Sequence, residues 1–104
     1  MNIFVTGGTG FIGSNFLKLA LSNDLEVYAL RRNKKKPKLV LDKQPIWIES
    51  SYEEVDFSKL QNIDLLLHIA SYGVLEQKPS LIDCFENNVI GPIKLFEKAK
   101  EVGI

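Results

Sequence analysis

The chain has 104 residues, which is enough for one domain with a modest hydrophobic core. Hydrophobic residues make up 45% and charged residues 25%, and the formal net charge is zero, so no charge excess favours nucleic acid or a membrane surface as a partner. The single cysteine, Cys84, excludes an intrachain disulfide and fits a reducing compartment. The sequence begins with no signal peptide and has no apolar segment long enough to span a bilayer, so we expect a cytoplasmic domain.

The first part of the chain predicts a strand, a tight turn and a helix. Residues 2–6 are apolar and β-branched, as expected of a buried strand. The segment Gly7-Gly-Thr-Gly-Phe-Ile-Gly13, which we call the glycine turn, follows directly. From Phe11 onward apolar residues recur at near-helical spacing, and Ser22-Asn23-Asp24 ends this helix.

The middle of the chain predicts three more strands. Residues 26–30 and 46–48 are the second and third strands, and a polar, basic stretch lies between them, in which residues 38–41 could form a short helix. Another short helix is predicted within residues 52–60. Residues 63–70 are almost continuously apolar and therefore predict a fourth strand that is buried on both faces.

The last part of the chain predicts one long helix, residues 79–102, with Pro79 at its start and Gly103 as its stop. Pro92 removes a helical hydrogen bond, so a kink is expected there. The predicted apolar stripe of this helix is Leu81, Ile82, Phe85, Val89, Ile93, Leu95, Phe96, Ala99 and Val102. The order of elements predicts an α/β fold of the Rossmann type, with a parallel sheet in strand order 3-2-1-4 and helices on both faces.

The glycine turn predicts a dinucleotide-binding site. A pyrophosphate needs a close approach to the backbone and a helix N-terminus aimed at it, and a Cβ atom on the turn would block that approach. Gly7 would allow the turn, Gly10 the approach of the phosphates, and Gly13 the close packing of the helix on the strand. The position of the turn, between an N-terminal strand and an amphipathic helix, favours this interpretation over a turn without a ligand.

Two further segments carry a family resemblance. Ile63-Asp-Leu-Leu-Leu-His-Ile-Ala-Ser71 ends in a His-x-Ala motif, and Gln77-Lys-Pro79 precedes a helix that contains Asn88-Val-Ile-Gly91. With the Gly-x-x-Gly-x-x-Gly spacing of the glycine turn, these segments make the whole chain resemble the extended short-chain dehydrogenase/reductase family. That family includes NAD-dependent epimerases and dehydratases that act on nucleotide sugars.

The resemblance implies a set of cofactor-binding residues. It places Gly7, Gly10, Phe11, Ile12 and Gly13 at the pyrophosphate, Ile69, Ala70 and Ser71 on the adenosine and ribose side, and Asn87 or Asn88 near the nicotinamide. No metal site is predicted, because no second histidine or cysteine stands at ligand spacing from His68.

The sequence departs from the family pattern at three places. NAD-preferring members carry an acid after the second strand, where this chain has Arg31-Arg32. An arginine binds a 2′-phosphate that a carboxylate would repel, so NADP is predicted over NAD. Glu49-Ser50-Ser51 replaces the family's Gly-Asp, which leaves the adenine contact open, and Pro92 replaces a threonine.

The family's acid–base pair, Tyr-x-x-x-Lys, does not occur in these residues. The residues four positions after Tyr28, Tyr52 and Tyr72 are Arg32, Asp56 and Glu76. We therefore predict no catalytic residue and no turnover by this chain alone. Residues 1–104 are interpreted as one domain, the N-terminal dinucleotide-binding part of an NAD(P)-dependent nucleotide-sugar epimerase, dehydratase or reductase. The alternative is a non-catalytic NAD(P)-binding or redox-sensing module.

Several other residues have structural interpretations. His68 lies in an apolar strand and predicts a packed imidazole rather than a catalytic base. The lysines of the basic stretch predict a solvated loop and no nucleic-acid site, since no aromatic residues are interleaved; for Arg31 the loop and the cofactor remain alternatives. Cys84, Phe85 and Trp47 are predicted in the core, and Glu53, Glu54 and Asp56 in a solvated turn.

The fourth strand is predicted to form an edge of the sheet. It has no charge after Asp64 and would present unpaired backbone groups to another chain. A chain of this length has little stability in reserve. We therefore predict that the chain either self-associates through this edge as a homo-oligomer or is marginally stable.

Overall fold

The computed structural model describes residues 1–60, 62–73 and 78–104. Its strands are β1 (Asn2–Thr6), β2 (Glu26–Arg31), β3 (Ile46–Glu49) and β4 (Leu65–His68), and its helices are α1 (Phe11–Ser22), α2 (Leu81–Phe85) and α3 (Gly91–Glu101). The four strands form one parallel sheet in the order β3-β2-β1-β4, which confirms the predicted fold. Two residues used in the predictions from the sequence lie outside the described residues: Glu76, four positions after Tyr72, and Gln77, at the start of the Gln77-Lys-Pro79 segment.

Alternate residues of β1 face two separate cores, one on each side of the sheet. Ile3 and Val5 pack against α1, whereas Phe4 packs against α3. The buried residues of the first core are Ile3, Val5, Leu17, Ala20, Leu21, Val27, Ala29 and Leu41. Those of the second core are Phe4, Tyr28, Leu30, Val55, Phe57, Leu60, Leu95 and Ala99.

The register of the sheet brings the carboxyl ends of its strands together. Thr6 of β1 pairs with His68 of β4, and Arg31 of β2 pairs with Glu49 of β3. Because β1 lies between β2 and β4, the glycine turn that follows it opens at the centre of this edge. In open parallel sheets this is the position at which ligands bind.

The basic stretch after β2 contains no helix at residues 38–41, so that prediction is wrong. The Lys38 N–H donates to the Thr9 carbonyl oxygen at 3.1 Å rather than to a helical carbonyl, and Leu41 is anchored in the first core. These contacts hold the stretch against the glycine turn. A 3₁₀ turn, Phe57–Lys59, stands where the sequence predicts the other short helix.

Strand β4 is shorter than predicted and is not buried on both faces. It spans Leu65–His68 rather than residues 63–70. Leu65 is 44% exposed and the other strand residues are half-buried, because β4 is the outer strand of the sheet in the part of the chain that the structure describes. Leu66 and Leu67 still pack against opposite cores.

We expect the outer edge of β4 to mediate self-association, since its backbone groups face outward. Leu65→Lys places a charge on this edge and is expected to shift the chain toward monomer in light scattering. Leu19→Lys, which changes a 65% exposed residue of α1, is the matched control and leaves association unchanged. A wild-type chain that is monomeric and unfolds in one stable two-state transition would contradict both parts of the prediction.

The long helix predicted over residues 79–102 is divided into three parts. It begins at Leu81, and Ser80 caps it by accepting the Asp83 N–H at 3.0 Å. A π-helical turn, Glu86–Ile90, stands between α2 and α3, and the Gly91 N–H donates to the Glu86 carbonyl oxygen. Pro92 lies in the first turn of α3, where its missing N–H costs little, directly after the π-helical turn. The kink expected at Pro92 stays a prediction.

Most of the predicted apolar stripe of this helix is exposed, which corrects the sequence analysis. Only Leu95 and Ala99, one turn apart, are buried against the sheet. The exposed members are Leu81, Ile82, Phe85, Val89, Ile93, Phe96 and Val102. Phe85 is therefore not a core residue, and Cys84 is only half-buried. Trp47 is also half-buried but packs against the first core.

Candidate functional site

A cleft of about 480 Å³ opens at the carboxyl ends of β1, β2 and β4. Most of the predicted cofactor-binding residues line it, namely Gly7, Gly10, Phe11, Ile12, Gly13, Arg31, Arg32, Ile69, Ala70, Ser71 and Asn87. Asn88 does not line it. The glycine turn and the segment after β4 thus form two walls, and the end of β2 closes one side.

Two glycines of the turn are required by the packing of the protein itself. Gly7 has φ +78°, and a Cβ atom there would lie 2.5 Å from the Ala70 backbone nitrogen. A Cβ atom at Gly13 would lie 1.8 Å from the Gly7 carbonyl oxygen. At Gly10 the nearest such atom, the Gly7 carbonyl oxygen, would be 3.5 Å away, an ordinary contact. The protein's own packing therefore does not require a glycine at position 10.

The N-terminus of α1 points its positive end at the cleft. Gly10 is the N-cap and provides no side-chain hydrogen bond, and the first turn contains no acidic residue. The turn itself is closed by the Gly10 N–H, which donates to the Gly7 carbonyl oxygen at 3.1 Å. Backbone N–H groups at a helix start favour an anion. Phe11 and Ile12, both about two-thirds exposed, stand at the mouth.

Thr6 and His68 support the floor of the cleft, and the sequence analysis missed the role of Thr6. Thr6 is fully buried, its hydroxyl lies 2.5 Å from His68 Nδ1, and it accepts the Ala70 N–H at 3.4 Å. The imidazole packs edge-on between the rings of Tyr52 and Phe96. Burial lowers the pKa of His68, so the neutral form is favoured. These contacts support the prediction of a packed imidazole.

Removing the Thr6 hydroxyl is expected to destabilise the chain. Thr6→Val keeps the shape but leaves His68 Nδ1 and the Ala70 N–H without this partner, so the free energy of unfolding should fall by about 2 kcal/mol. Thr6→Ser keeps the hydroxyl and loses one methyl group, so the free energy of unfolding should fall by only about 1 kcal/mol or less. Urea unfolding measures both. A Thr6→Val chain as stable as wild type would contradict the role of the hydroxyl.

The two candidate asparagines point in different directions. Asn87 lines the cleft and accepts a hydrogen bond at 3.5 Å from Arg32 Nη2. Asn88 instead holds the segment after β4, because its Oδ1 accepts the Tyr72 N–H at 2.8 Å and its Nδ2 donates to the Tyr72 carbonyl oxygen at 3.0 Å. Asn88 is therefore a positioning residue for that wall.

The arginines at the end of β2 have different surroundings. Arg31 Nε donates to Glu49 Oε1 at 2.5 Å, and the guanidinium stacks 4.4 Å above the Trp47 ring. This hydrogen bond lowers the pKa of Glu49. Arg32 is exposed and lies 5.9 Å from the Tyr52 ring centroid.

Further residues that line the cleft are not among the predicted cofactor-binding residues: Thr6, Thr9, Leu30, Lys35, Ser50, Tyr52 and Tyr72. Burial raises the pKa of Tyr52, so its hydroxyl stays protonated at neutral pH. Lys35 is solvated as predicted but also borders the cleft. Its position follows from the contact between the basic stretch and the glycine turn, which a reading of local patterns does not reveal.

The acidic turn is a structural feature. Glu53 forms an ion pair with Lys94 at 2.9 Å, and Asp56 accepts the Ser58 N–H at 3.0 Å. Within residues 1–60, 62–73 and 78–104, no group of three or more His, Cys, Asp or Glu side chains is placed to hold a metal ion. The helices in this same part of the chain are all too short or too polar to cross a membrane.

Known proteins resemble this chain over almost its whole length. A family model described as "NAD dependent epimerase/dehydratase family" matches residues 3–104. A putative dihydroflavonol 4-reductase of Synechocystis is 30% identical over 97% of this chain and 29% of its own length. The dTDP-glucose 4,6-dehydratase of Haemophilus influenzae is 32% identical over 96% of this chain and 33% of its own length.

Among solved structures, the UDP-glucose 4-epimerase of Thermotoga maritima with UDP-glucose superimposes with a TM-score of 0.79 at 28% identity. The match covers 100% of this chain and 35% of the epimerase. The chain thus spans about a third of the length of the proteins it matches.

Proposed function

Because the chain belongs to the NAD-dependent epimerase/dehydratase family, we propose that its cleft binds a nicotinamide dinucleotide with the pyrophosphate on the glycine turn. The observation that carries this proposal is Gly10. Packing explains why Gly7 and Gly13 are glycine, but a Cβ atom at Gly10 would meet no protein atom closer than 3.5 Å. Glycine at this position keeps the cleft open for a ligand.

The remaining residues of the cleft fit the same ligand. The start of α1 offers uncapped backbone N–H groups to the phosphates. Ile69, Ala70 and Ser71 form the opposite wall, on the adenosine and ribose side, and Asn87, from the π-helical turn, lines the cleft beside Arg32. Asn88 holds this wall in place through Tyr72.

For the whole protein we propose an NAD(P)-dependent epimerase, dehydratase or reductase that acts on a nucleotide sugar. The relatives named above include each of these activities. The bound dinucleotide would supply hydride chemistry. The residues of this cleft bind and orient it, and because the 104 residues contain no Tyr-x-x-x-Lys pair, we assign them no proton transfer and no turnover on their own.

We further propose that the cleft prefers NADP over NAD. Arg31 and Arg32 stand at the end of β2, on the side of the ribose, and both line the cleft. A 2′-phosphate there would meet positive charge rather than the carboxylate that selects NAD.

Calorimetric titration with both dinucleotides tests this preference. We expect NADP to bind about tenfold more tightly than NAD, and either Arg31→Ala or Arg32→Ala to remove most of the difference. Lys36→Ala, on the same loop but outside the cleft, is the control and leaves the preference intact. Tighter binding of NAD, or a preference that survives both substitutions, would contradict the NADP proposal but not dinucleotide binding.

A further inference from the structure

The pairing of β2 with β3 fixes a carboxylate beside the proposed 2′-phosphate site. Arg31 and Glu49 are the last residues of their strands and are direct partners in the parallel register. Glu49 therefore lies beside Arg31, which lines the cleft, although Glu49 itself does not line it. Its position is set by the sheet and not by a flexible loop.

The Arg31 guanidinium is engaged on several sides. Its Nε donates to Glu49 Oε1 at 2.5 Å, its Nη1 donates to the Lys35 carbonyl oxygen at 3.4 Å, and Trp47 covers one face. The side chain is only 18% exposed. The second oxygen of Glu49 accepts the Lys34 N–H at 3.1 Å, which fixes the carboxylate as well.

Arg32, unlike Arg31, has no carboxylate partner in the part of the chain that the structure describes, and its side chain is more exposed. Its polar contact is with the neutral amide of Asn87 at 3.5 Å, and no ion pair to it is present among residues 1–60, 62–73 and 78–104. It is exposed and borders the cleft. The charges of Arg31 and Glu49 cancel, whereas that of Arg32 does not.

We infer that Glu49 sets the size of the cofactor preference of the cleft: it neutralises Arg31, limits the preference for NADP, and leaves Arg32 as the cation for the 2′-phosphate. This inference rests on the proposed function. It predicts that the NADP preference depends on the balance of charge between Arg31 and Glu49 and not on direct contact of Arg31 with the phosphate.

Calorimetric titration of three variants with NADP and NAD tests this inference. Glu49→Gln releases the charge of Arg31 and should raise the ratio of NADP to NAD affinity about five- to tenfold. Arg31→Met leaves Glu49 uncompensated and should lower the ratio by a similar factor. The double variant, Arg31→Met with Glu49→Gln, is again neutral and should return to within about twofold of the wild-type ratio.

Glu53→Gln is the matched control, because it removes a carboxylate from a different ion pair, the exposed pair with Lys94, which lies outside the cleft. It should leave the ratio unchanged. Circular dichroism checks each fold, and Glu49→Ala, which removes the same charge, is measured if Glu49→Gln does not fold.

An unchanged ratio in Glu49→Gln, or a double variant whose ratio stays as low as that of Arg31→Met, would overturn the inference and assign the phosphate contact to Arg31. A wild-type chain that binds neither dinucleotide would instead overturn the proposed function. The two failures are therefore distinguishable.

Discussion

Replacing Gly13 with alanine is expected to destabilise the chain strongly. The new Cβ atom would lie 1.8 Å from the Gly7 carbonyl oxygen, and the next atoms it would meet, at 2.6 and 2.8 Å, are also backbone. Relief would require the helix to move away from the turn. We expect a loss of at least about 3 kcal/mol, a large part of the roughly 5–15 kcal/mol that stabilises a domain of this kind.

Urea unfolding followed by circular dichroism measures this loss. Gly10→Ala is the matched control, since it makes the same change three residues earlier in the same turn, where the nearest contact is an ordinary 3.5 Å. Its cost should be about 1 kcal/mol or less, the effect of a poorer N-cap. If Gly13→Ala were as stable as Gly10→Ala, that result would contradict the requirement for glycine at the close contact between α1 and the turn.

Gly10→Ala is expected to weaken dinucleotide binding about a hundredfold while the fold remains intact. The added methyl group would project into the proposed path of the pyrophosphate to the start of α1. A hundredfold loss corresponds to about 2.7 kcal/mol of binding free energy. Calorimetric titration with NADP gives this number directly.

Gly103→Ala is the control for this binding experiment. A methyl group there would meet no atom within 4 Å, and the residue lies outside the cleft. Its φ of +89° makes the change somewhat destabilising, but affinity should be unchanged. Equal affinities for Gly10→Ala and wild type would show that Gly10 is not at the pyrophosphate.

The sheet could be predicted because its signals are local. The apolar run of residues 2–6 ends directly in glycines, and residues 26–30 repeat the strand pattern after one helix. The crossover rule then leaves few strand orders, and 3-2-1-4 is confirmed. Gly7 and Gly13 are likewise recognisable from spacing alone, because their roles concern the turn itself.

The contacts that depend on pairing between distant strands could not be predicted. The Thr6 hydroxyl meets His68 only through the register of β1 with β4, and Arg31 meets Glu49 only through that of β2 with β3. A pattern also does not say how much of a helix the sheet can cover. The apolar residues of the last helix repeat regularly, yet only Leu95 and Ala99 reach the core.

If the cleft between the glycine turn and the end of β4 binds a dinucleotide, NADP should perturb the residues that line it. Titration of the isotope-labelled chain with NADP, followed by amide chemical shifts, tests this most directly. Saturable shifts are predicted at Gly7–Gly13, Arg32, Ile69–Ser71 and Asn87, and no shift at Glu53 or Lys94. No saturable shift, or shifts centred on the far side of α3, would contradict the claim.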